Sequence, residues 1–383
     1  MAETPENVQE SPSAAAWRRF LERLEEAGEV VSGPLGAIDE RDRAEGHRHL
    51  LRLVSIASEM LLEKGDTDHP EFIRWMNAHR KMLGDNPHTI YDVAIIDPDT
   101  TYVIRGTMGT PTYLGVCAYG TAEGGARRIV GNVDDTDIGV VNGRFEVWVA
   151  PEGSAHVPDG AAVLTLEPDA TDVLVRQYFH DPASQVEATY TIEAVPDPGP
   201  SRPLTEDELV RRLDAVGAYV RDIVEVEATL SALMATATPG LLRHGDDYTD
   251  LEGEQAPPPI DPTVVAKAMP SPSIQYSGSW VDDLGEHEQV VVSGALPTCR
   301  YFSIQLLNRW MESGNWTTAR VFVTDRDLEV VNGRFRAVIA HADPGEGTWI
   351  DTNGWTSFSI AVRALGADDP MEIDFTREAR PTA

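Results

Sequence analysis

Lysine is almost missing from this chain: only Lys64, Lys81 and Lys267 occur in 383 residues, and the remaining bases are arginine. Cysteine is equally scarce. Cys117 and Cys299 alone exclude a disulfide scaffold and fit a reducing compartment. No run of about 18 apolar residues occurs, so no helical membrane span is expected. The opening stretch MAETPENVQESPSAAAW is acidic and polar, with neither the basic nor the apolar region of a secretory signal. A cytoplasmic location is the expectation. Positive charge is outnumbered throughout: 63 acids face 31 bases, a net charge of −32, and the acids are spread along the chain. Such a field repels phosphates and anionic lipid surfaces, so neither nucleic acid nor membrane is an expected partner.

Several chemical signatures are also absent. There is no Walker loop, no GxGxxG after a strand and no GxSxG elbow, which disfavours nucleotide cofactors and standard serine hydrolysis. The HxH on a strand with a later Glu and His, as metal-binding jelly rolls carry it, is not found. His47 and His49 lie two apart on a predicted helix and face apart. The sequence therefore implies no cofactor and no metal.

What is present is periodicity. Trp17, Phe20, Leu21 and Leu24 form one helical stripe, and Leu50, Val54, Ala57 and Leu61 a second that stops at Gly65. A third helix is predicted from Asp68 and Pro70, with Phe72, Trp75, Met76 and His79 on its face. From Thr89 the period changes to two. Short β-branched and aromatic runs punctuated by Gly, Pro and Asp predict strands at 89–97, 100–106, 112–120, 144–150, 162–167, 172–179 and 187–195. After the proline-rich break at 195–203, Thr205 and Glu208 form a capping box. A long stripe of Leu209, Leu213, Val216, Val220 and Ile223 follows. Residues 241–275 lose all periodicity and read as a long loop. Strands resume at 274–280, 288–294, 301–307, 319–325, 335–341, 357–365 and 371–376.

The chain also repeats itself. VVNGRF occurs at Val140–Phe145 and again at Val330–Phe335. The match extends outward: Gly106 falls on Gly294, Tyr113 on Tyr301, and the strand at 172–179 resembles 358–365, both running through Val-Arg. Asn-Gly between apolar runs signals a type I′ hairpin, so VVNGRF reads as a turn and not as an active-site motif. The fold class is then mainly β with helical additions: two related jelly-roll-like β-sandwich units, an N-terminal helical segment and a mid-chain helix. The boundaries fall at 1–83 (helical segment), 84–200 (first unit), 201–275 (helix and loop) and 276–383 (second unit).

YFSIQLLNRWMESGNW followed by HADPGEGTWIDTNGW resembles the domain of unknown function 1214 family. GDNPHTIYDVAIIDPDTTYVIRG resembles the start of that family's sandwich and also the related domain of unknown function 1254, and EGHRHLLRL resembles actinobacterial members. His88 stands where members often carry Asp. The resemblance covers nearly the whole chain and implies a jelly-roll-like sandwich, but no particular reaction.

Three stretches hold polar residues that turn and strand logic leaves over. The loop at 341–355 combines His341, Asp343, Trp349, Asp351, Asn353 and Trp355; His341 oriented by Asp351 or Asp343 would be a general base. Asn308, Arg309 and Trp310 follow a strand, and Arg309 suits an oxyanion because its guanidinium is a planar fork of donors. Asn86 and Tyr91 lie in GDNPHTIY, where Tyr91 would donate to a substrate oxygen. The repeat is expected to bring this segment and the 341–355 loop to one cleft. The leading reading is a cofactor-independent enzyme, a lyase or hydrolase, acting on a small hydrophobic metabolite with an oxyanion. His341, Asp351, Arg309 and Tyr91 are its catalytic set, and Asn86, Asn308, Trp310, Trp349 and Trp355 its substrate contacts. Two alternatives stand beside it: a non-catalytic module for a carbohydrate or lipid-like ligand, and a structural homo-oligomer subunit in which the Trp-rich loop is an interface.

Overall fold

The computed structural model describes residues 11–121, 127–236 and 269–380. Helix α1 (Pro12–Ser32) starts where Ser11 accepts a hydrogen bond from the Ala14 amide and Pro12 presets the first turn. Helix α2 (Glu40–Ala57) is capped by Asp39 and runs on into a π-helical turn at Ser58–Glu63. Helix α3 (Glu206–Thr236) follows the capping residue Thr205, whose hydroxyl accepts from the Glu208 amide at 3.2 Å. Among the described residues no helix is long and apolar enough to cross a membrane.

The remaining segments are strands. The first set is β1 (Ile73–Arg74), β2 (Thr89–Ile95), β3 (Thr101–Thr107), β4 (Tyr113–Thr121), β5 (Arg127–Asp134), β6 (Arg144–Pro151), β7 (Val163–Leu166), β8 (Ala170–Tyr178) and β9 (Thr189–Val195). They form two sheets, ordered β1-β2-β8-β4-β5 and β7-β6-β3-β9. The second set is β10 (Ile274–Val281), β11 (Glu288–Ala295), β12 (Tyr301–Leu307), β13 (Phe322–Thr324), β14 (Val330–Val331), β15 (Arg334–Ala340), β16 (Thr348–Asp351), β17 (Phe358–Leu365) and β18 (Ile373–Ala379). Its sheets run β10-β17-β12-β13 and β14-β15-β11-β18, with β16 parallel to β15. Apart from β1 and β14, which have no strand opposite them in the other unit, the two orders correspond, down to the parallel β6–β7 pair that matches β15–β16. The protein is thus mainly β, built from two β-sandwiches of one topology.

The repeated hexapeptide is the hairpin turn it was predicted to be. Asn142 and Gly143 have φ of 52° and 74°, and Asn332 and Gly333 have 52° and 76°, as a type I′ turn demands. Phe145 and Phe335 point into the sandwich cores while Arg144 and Arg334 are exposed.

In each unit one sheet is outer and one inner. The inner sheets, on β4 and β8 and on β12 and β17, are buried along almost their whole length. One face of the first packs into its own sandwich through Leu114, Val116, Val173 and Val175. Its other face, with Val93, Cys117, Tyr119 and Leu174, lies under the helices. The same face also reaches the second inner sheet, where the Tyr178 and Tyr301 rings meet edge to face at 5.3 Å. His180 donates across this seam to Asp325 at 3.0 Å, and Arg300 to Asp135 at 2.7 Å.

Two expectations for the helical segment are corrected. No third helix forms near 68–83: Ile73–Arg74 pairs with the edge of β2, and the Trp75 amide extends that pairing to Tyr91 O at 2.8 Å. Covering a sheet edge outweighs the helical spacing of the apolar residues. On α1 the buried face is Ala16, Phe20, Ala27 and Val31, while Trp17 and Leu21 are exposed. Small residues let α1 approach α3 closely, so size outranks hydrophobicity in choosing the face. Strands β5 and β16 were not foreseen. The long loop read at 241–275 lies for the most part outside the described residues.

The aligned glycines have a steric reason. A Cβ on Gly106 would stand 2.4 Å from Thr189 O, and one on Gly294 would stand 2.4 Å from Glu372 O. Each faces a core Phe across the ladder, Phe145 and Phe335. We expect Gly294→Ala to cost about 1–3 kcal/mol, the usual range for overpacking. Denaturant unfolding measures this; an unchanged midpoint would show that β18 moves aside freely.

Candidate functional site

The 341–355 loop is tied down by its own chain. His341 Nε2 lies 3.0 Å from Leu284 O and its Nδ1 2.8 Å from Thr352 Oγ1, so both ring nitrogens are engaged and neither meets an acid. Asp351 accepts from the Asn353 amide at 2.8 Å, closing a turn, and does not orient His341. Trp349 Nε1 donates to Ala340 O at 3.0 Å, and Trp355 is buried with its Nε1 3.3 Å from Glu45. The expected general base and its orienting acid therefore do not assemble. Nor does this loop share a cleft with Tyr91. His341 hangs from Leu284, which bonds Thr356 O just before the start of β17 at Phe358. The part of the inner sheet near Tyr91 is marked by Arg363, five residues along β17, or about 17 Å from that end at roughly 3.3 Å per residue.

Asn308, Arg309 and Trp310 are likewise corrected from substrate contacts to packing between the second unit and the helices. Arg309 Nε and Nη2 donate to Gly36 O and Leu35 O at 3.1 and 2.8 Å, holding the turn between α1 and α2. Asn308 accepts from the amides of Trp310 and Glu312 and donates to Glu45 and Glu312. Trp310 is fully buried, stacks on His49 and donates its Nε1 to Asp42 O at 2.8 Å.

Beneath Trp310 lies a buried charge network that the sequence did not reveal. His49 Nε2 is 2.5 Å from Glu227 and its Nδ1 3.1 Å from Glu312, and Arg52 donates to Glu312 at 2.5 Å. The network joins α2, α3 and the loop after β12. Burial opposes charge on His49, but Glu227 and Glu312 outweigh it and hold its pKa up at about 10. Burial opposes ionisation of Glu312 too, yet His49 and Arg52 hold it down at about 2. The raised His49 pKa contributes stability in full below 6.5, its ordinary value, and that stability is lost as pH climbs through about 10. The depressed Glu312 pKa contributes in full above 4.5, and that contribution is lost as pH falls through about 2. His49→Ala leaves two carboxylates facing each other and is expected to cost about 3–5 kcal/mol near pH 6. Denaturant unfolding of both proteins from pH 6 to 10 should show the difference shrinking; a constant difference would mean that packing alone is lost.

A second polar cluster lies where the inner sheets meet, and this one is not closed on itself. Arg176 on β8 and Arg363 on β17 are both 5% exposed. Arg176 Cζ sits 5.4 Å from the Tyr119 ring centroid and 6.0 Å from that of Tyr91, and its Nη2 donates to Met269 O at 2.7 Å. Arg363 Cζ lies 5.7 Å from the Tyr276 ring and its Nη2 donates to Gly84 O, while its Nη1 is buried with no partner. Neither arginine forms an ion pair with an acid among the described residues. Tyr91 accepts from the Asn86 amide at 3.1 Å, which leaves its own O–H proton unspent. Tyr178, two residues along β8 from Arg176, is buried and meets the Tyr301 ring edge to face at 5.3 Å. Burial raises the pKa of both phenols, against the pull of the two arginines, so they remain donors. Asn86 also bonds the Tyr301 hydroxyl at 3.2 Å. Of the predicted site residues, Tyr91 and Asn86 thus fall in one place. Arg176, Arg363 and Tyr178 were overlooked, although Val-Arg at the same point of both repeats was visible. A separate open cleft of about 460 Å³, lined among others by Asp68, Asp99, Glu152 and His156, contains none of the expected residues.

No protein-family model matches the sequence, and no curated protein matches it. Among solved structures, the chain is similar to an uncharacterized protein from Burkholderia cenocepacia. The two are 25% identical with a TM-score of 0.84, over 96% of this chain and 97% of that one. A protein from Vibrio parahaemolyticus aligns over 92% of this chain and all of its own, at 12% identity and a TM-score of 0.47. The Burkholderia protein shares the whole arrangement of helices and two sandwiches.

Proposed function

We propose that the protein binds a small, largely apolar molecule bearing an oxyanion, held between the two inner sheets. Arg176 and Arg363 take its charge, Tyr91 and Tyr178 donate to its oxygens, and the tyrosine rings enclose its body. The observation that carries this reading is the one-sided chemistry of the cluster: two guanidinium groups converge with two phenols, Arg363 Nη1 is buried with no partner, Tyr91 accepts a bond and keeps its own proton, and neither arginine forms an ion pair with an acid among the described residues. Buried donors are ordinarily paired, and a convergent unpaired set is a complement for something outside the chain. The binding reading is preferred to the enzyme reading because the base assigned to proton transfer, His341, has both nitrogens occupied and lies elsewhere. Membership of the domain of unknown function 1214 family remains part of the proposal, resting on the quoted stretches at 84–106, 301–316 and 341–355. So does a cytoplasmic location, which the two free thiols suit.

Thermal unfolding against a panel of small carboxylates and phosphates tests the proposal. A ligand at about 100 times its Kd should stabilise the protein by roughly 2.7 kcal/mol. Arg176→Met and Arg363→Met should each diminish the shift, and His341→Ala should keep it. A shift that survives in both arginine variants but disappears in His341→Ala would overturn the assignment.

A further inference from the structure

The two arginines are one residue seen twice. Arg176 pairs across its ladder with Tyr91 on β2 and with Gly115 on β4. Arg363 pairs with Tyr276 on β10 and with Ser303 on β12, the corresponding strands of the second unit. Each lies beside a tyrosine ring, and each spends one Nη2 on a backbone carbonyl, Met269 O or Gly84 O. Duplication has therefore placed the same cation at the same register in both units. The inner sheets bring the two towards one place: Arg176 lies over the Tyr91 ring, the Tyr91 hydroxyl accepts from the Asn86 amide, and Arg363 holds the carbonyl of Gly84 two residues away.

Charge counting then narrows the ligand. Arginine keeps its proton in proteins, so the cluster holds two buried positive charges, and neither is in an ion pair with an acid among the described residues. A monoanion would leave one guanidinium buried and uncompensated, a costly state. A dianion balances both. We infer, resting on the oxyanion reading of the same cluster, that the ligand is a small dianion with an apolar body. One sandwich unit supplies Arg176 and the other Arg363, so neither unit forms the site alone. Dicarboxylates and phosphate monoesters share this chemistry, and both ring-bearing forms suit the tyrosine walls.

Calorimetric titration of the full chain at pH 8 and constant ionic strength tests this, with phthalate, phenyl phosphate and benzoate as probes. At that pH a phosphate monoester, whose second pKa is about 6, is a dianion. In the wild type, phthalate or phenyl phosphate should bind at least about tenfold more tightly than benzoate, and whichever leads identifies the source. Arg176→Met and Arg363→Met should each abolish that preference, the affinity for the dianions falling at least about tenfold further than the affinity for benzoate. Arg363→Lys, which restores the charge, should recover part of it. Benzoate binding as tightly as both dianions would overturn the dianion while leaving the oxyanion reading standing. Absence of binding by all three, in a protein whose unfolding shows it folded, would overturn both. Unchanged dianion preference in the methionine variants would place the charge recognition elsewhere.

Discussion

A sheet covered by its own sandwich on one face still has a second face, and the inner sheets of this protein cannot leave theirs in water. Val93, Cys117 and Leu174 on one, and Ile274, Tyr301 and Leu365 on the other, are nearly or fully buried. Two covers are available, the helical layer and the opposite unit, and both are used. Helices α1, α2 and α3 close over one part of the first inner sheet, and the second unit docks against the rest. The rest of the architecture follows from that double burial. The loop after β12 must reach the helices, so Arg309 and Trp310 become struts. The chain at 72–76 must seal the β2 edge, so it is extended.

Much of this was legible. Period-two runs located nearly every strand, because alternation is imposed by the pleat itself. Asn-Gly located both hairpins, because only a residue pair tolerant of positive φ closes that turn. The duplication was legible because side chains at the turns and cores are constrained alike in both copies. Illegible were the features decided by tertiary partners. Phe72, Trp75 and Met76 carry a helical spacing, yet Phe72 packs with one core and Trp75 and Met76 with another. His49 looked like half of an unpromising HxH pair. Its importance comes from Glu227 and Glu312, which are 178 and 263 residues away.

The site expectation failed for a related reason. Comparing the repeats suggested that function lies where the copies differ, and the 341–355 loop differs most. A Trp- and acid-rich loop is also what a chain needs when a strand end must be stitched to a helix layer, and Thr352, Glu45 and Arg41 do that stitching. The buried arginine with an unpartnered donor, Arg363, is one that the copies share. Arginine in the middle of a buried strand opposes the apolar burial around it, yet it recurs at equivalent positions of both units, each time against a tyrosine ring and a backbone carbonyl. A residue type that the local environment disfavours, kept twice, is a stronger pointer than a conspicuous loop.

The electrostatics of the whole chain sharpen this point. With a net charge of −32, the exterior repels anions at long range, and an anionic ligand gains nothing from steering. Salt at physiological strength screens that repulsion beyond about 8 Å, but the buried guanidinium groups are shielded by protein and keep their local field. Recognition of the proposed ligand would then be settled at contact, where desolvated donors discriminate by geometry and charge count. For the ligand proposed above, an acidic surface around two buried arginines would select against anions that lack an apolar body to carry them into the seam between the units.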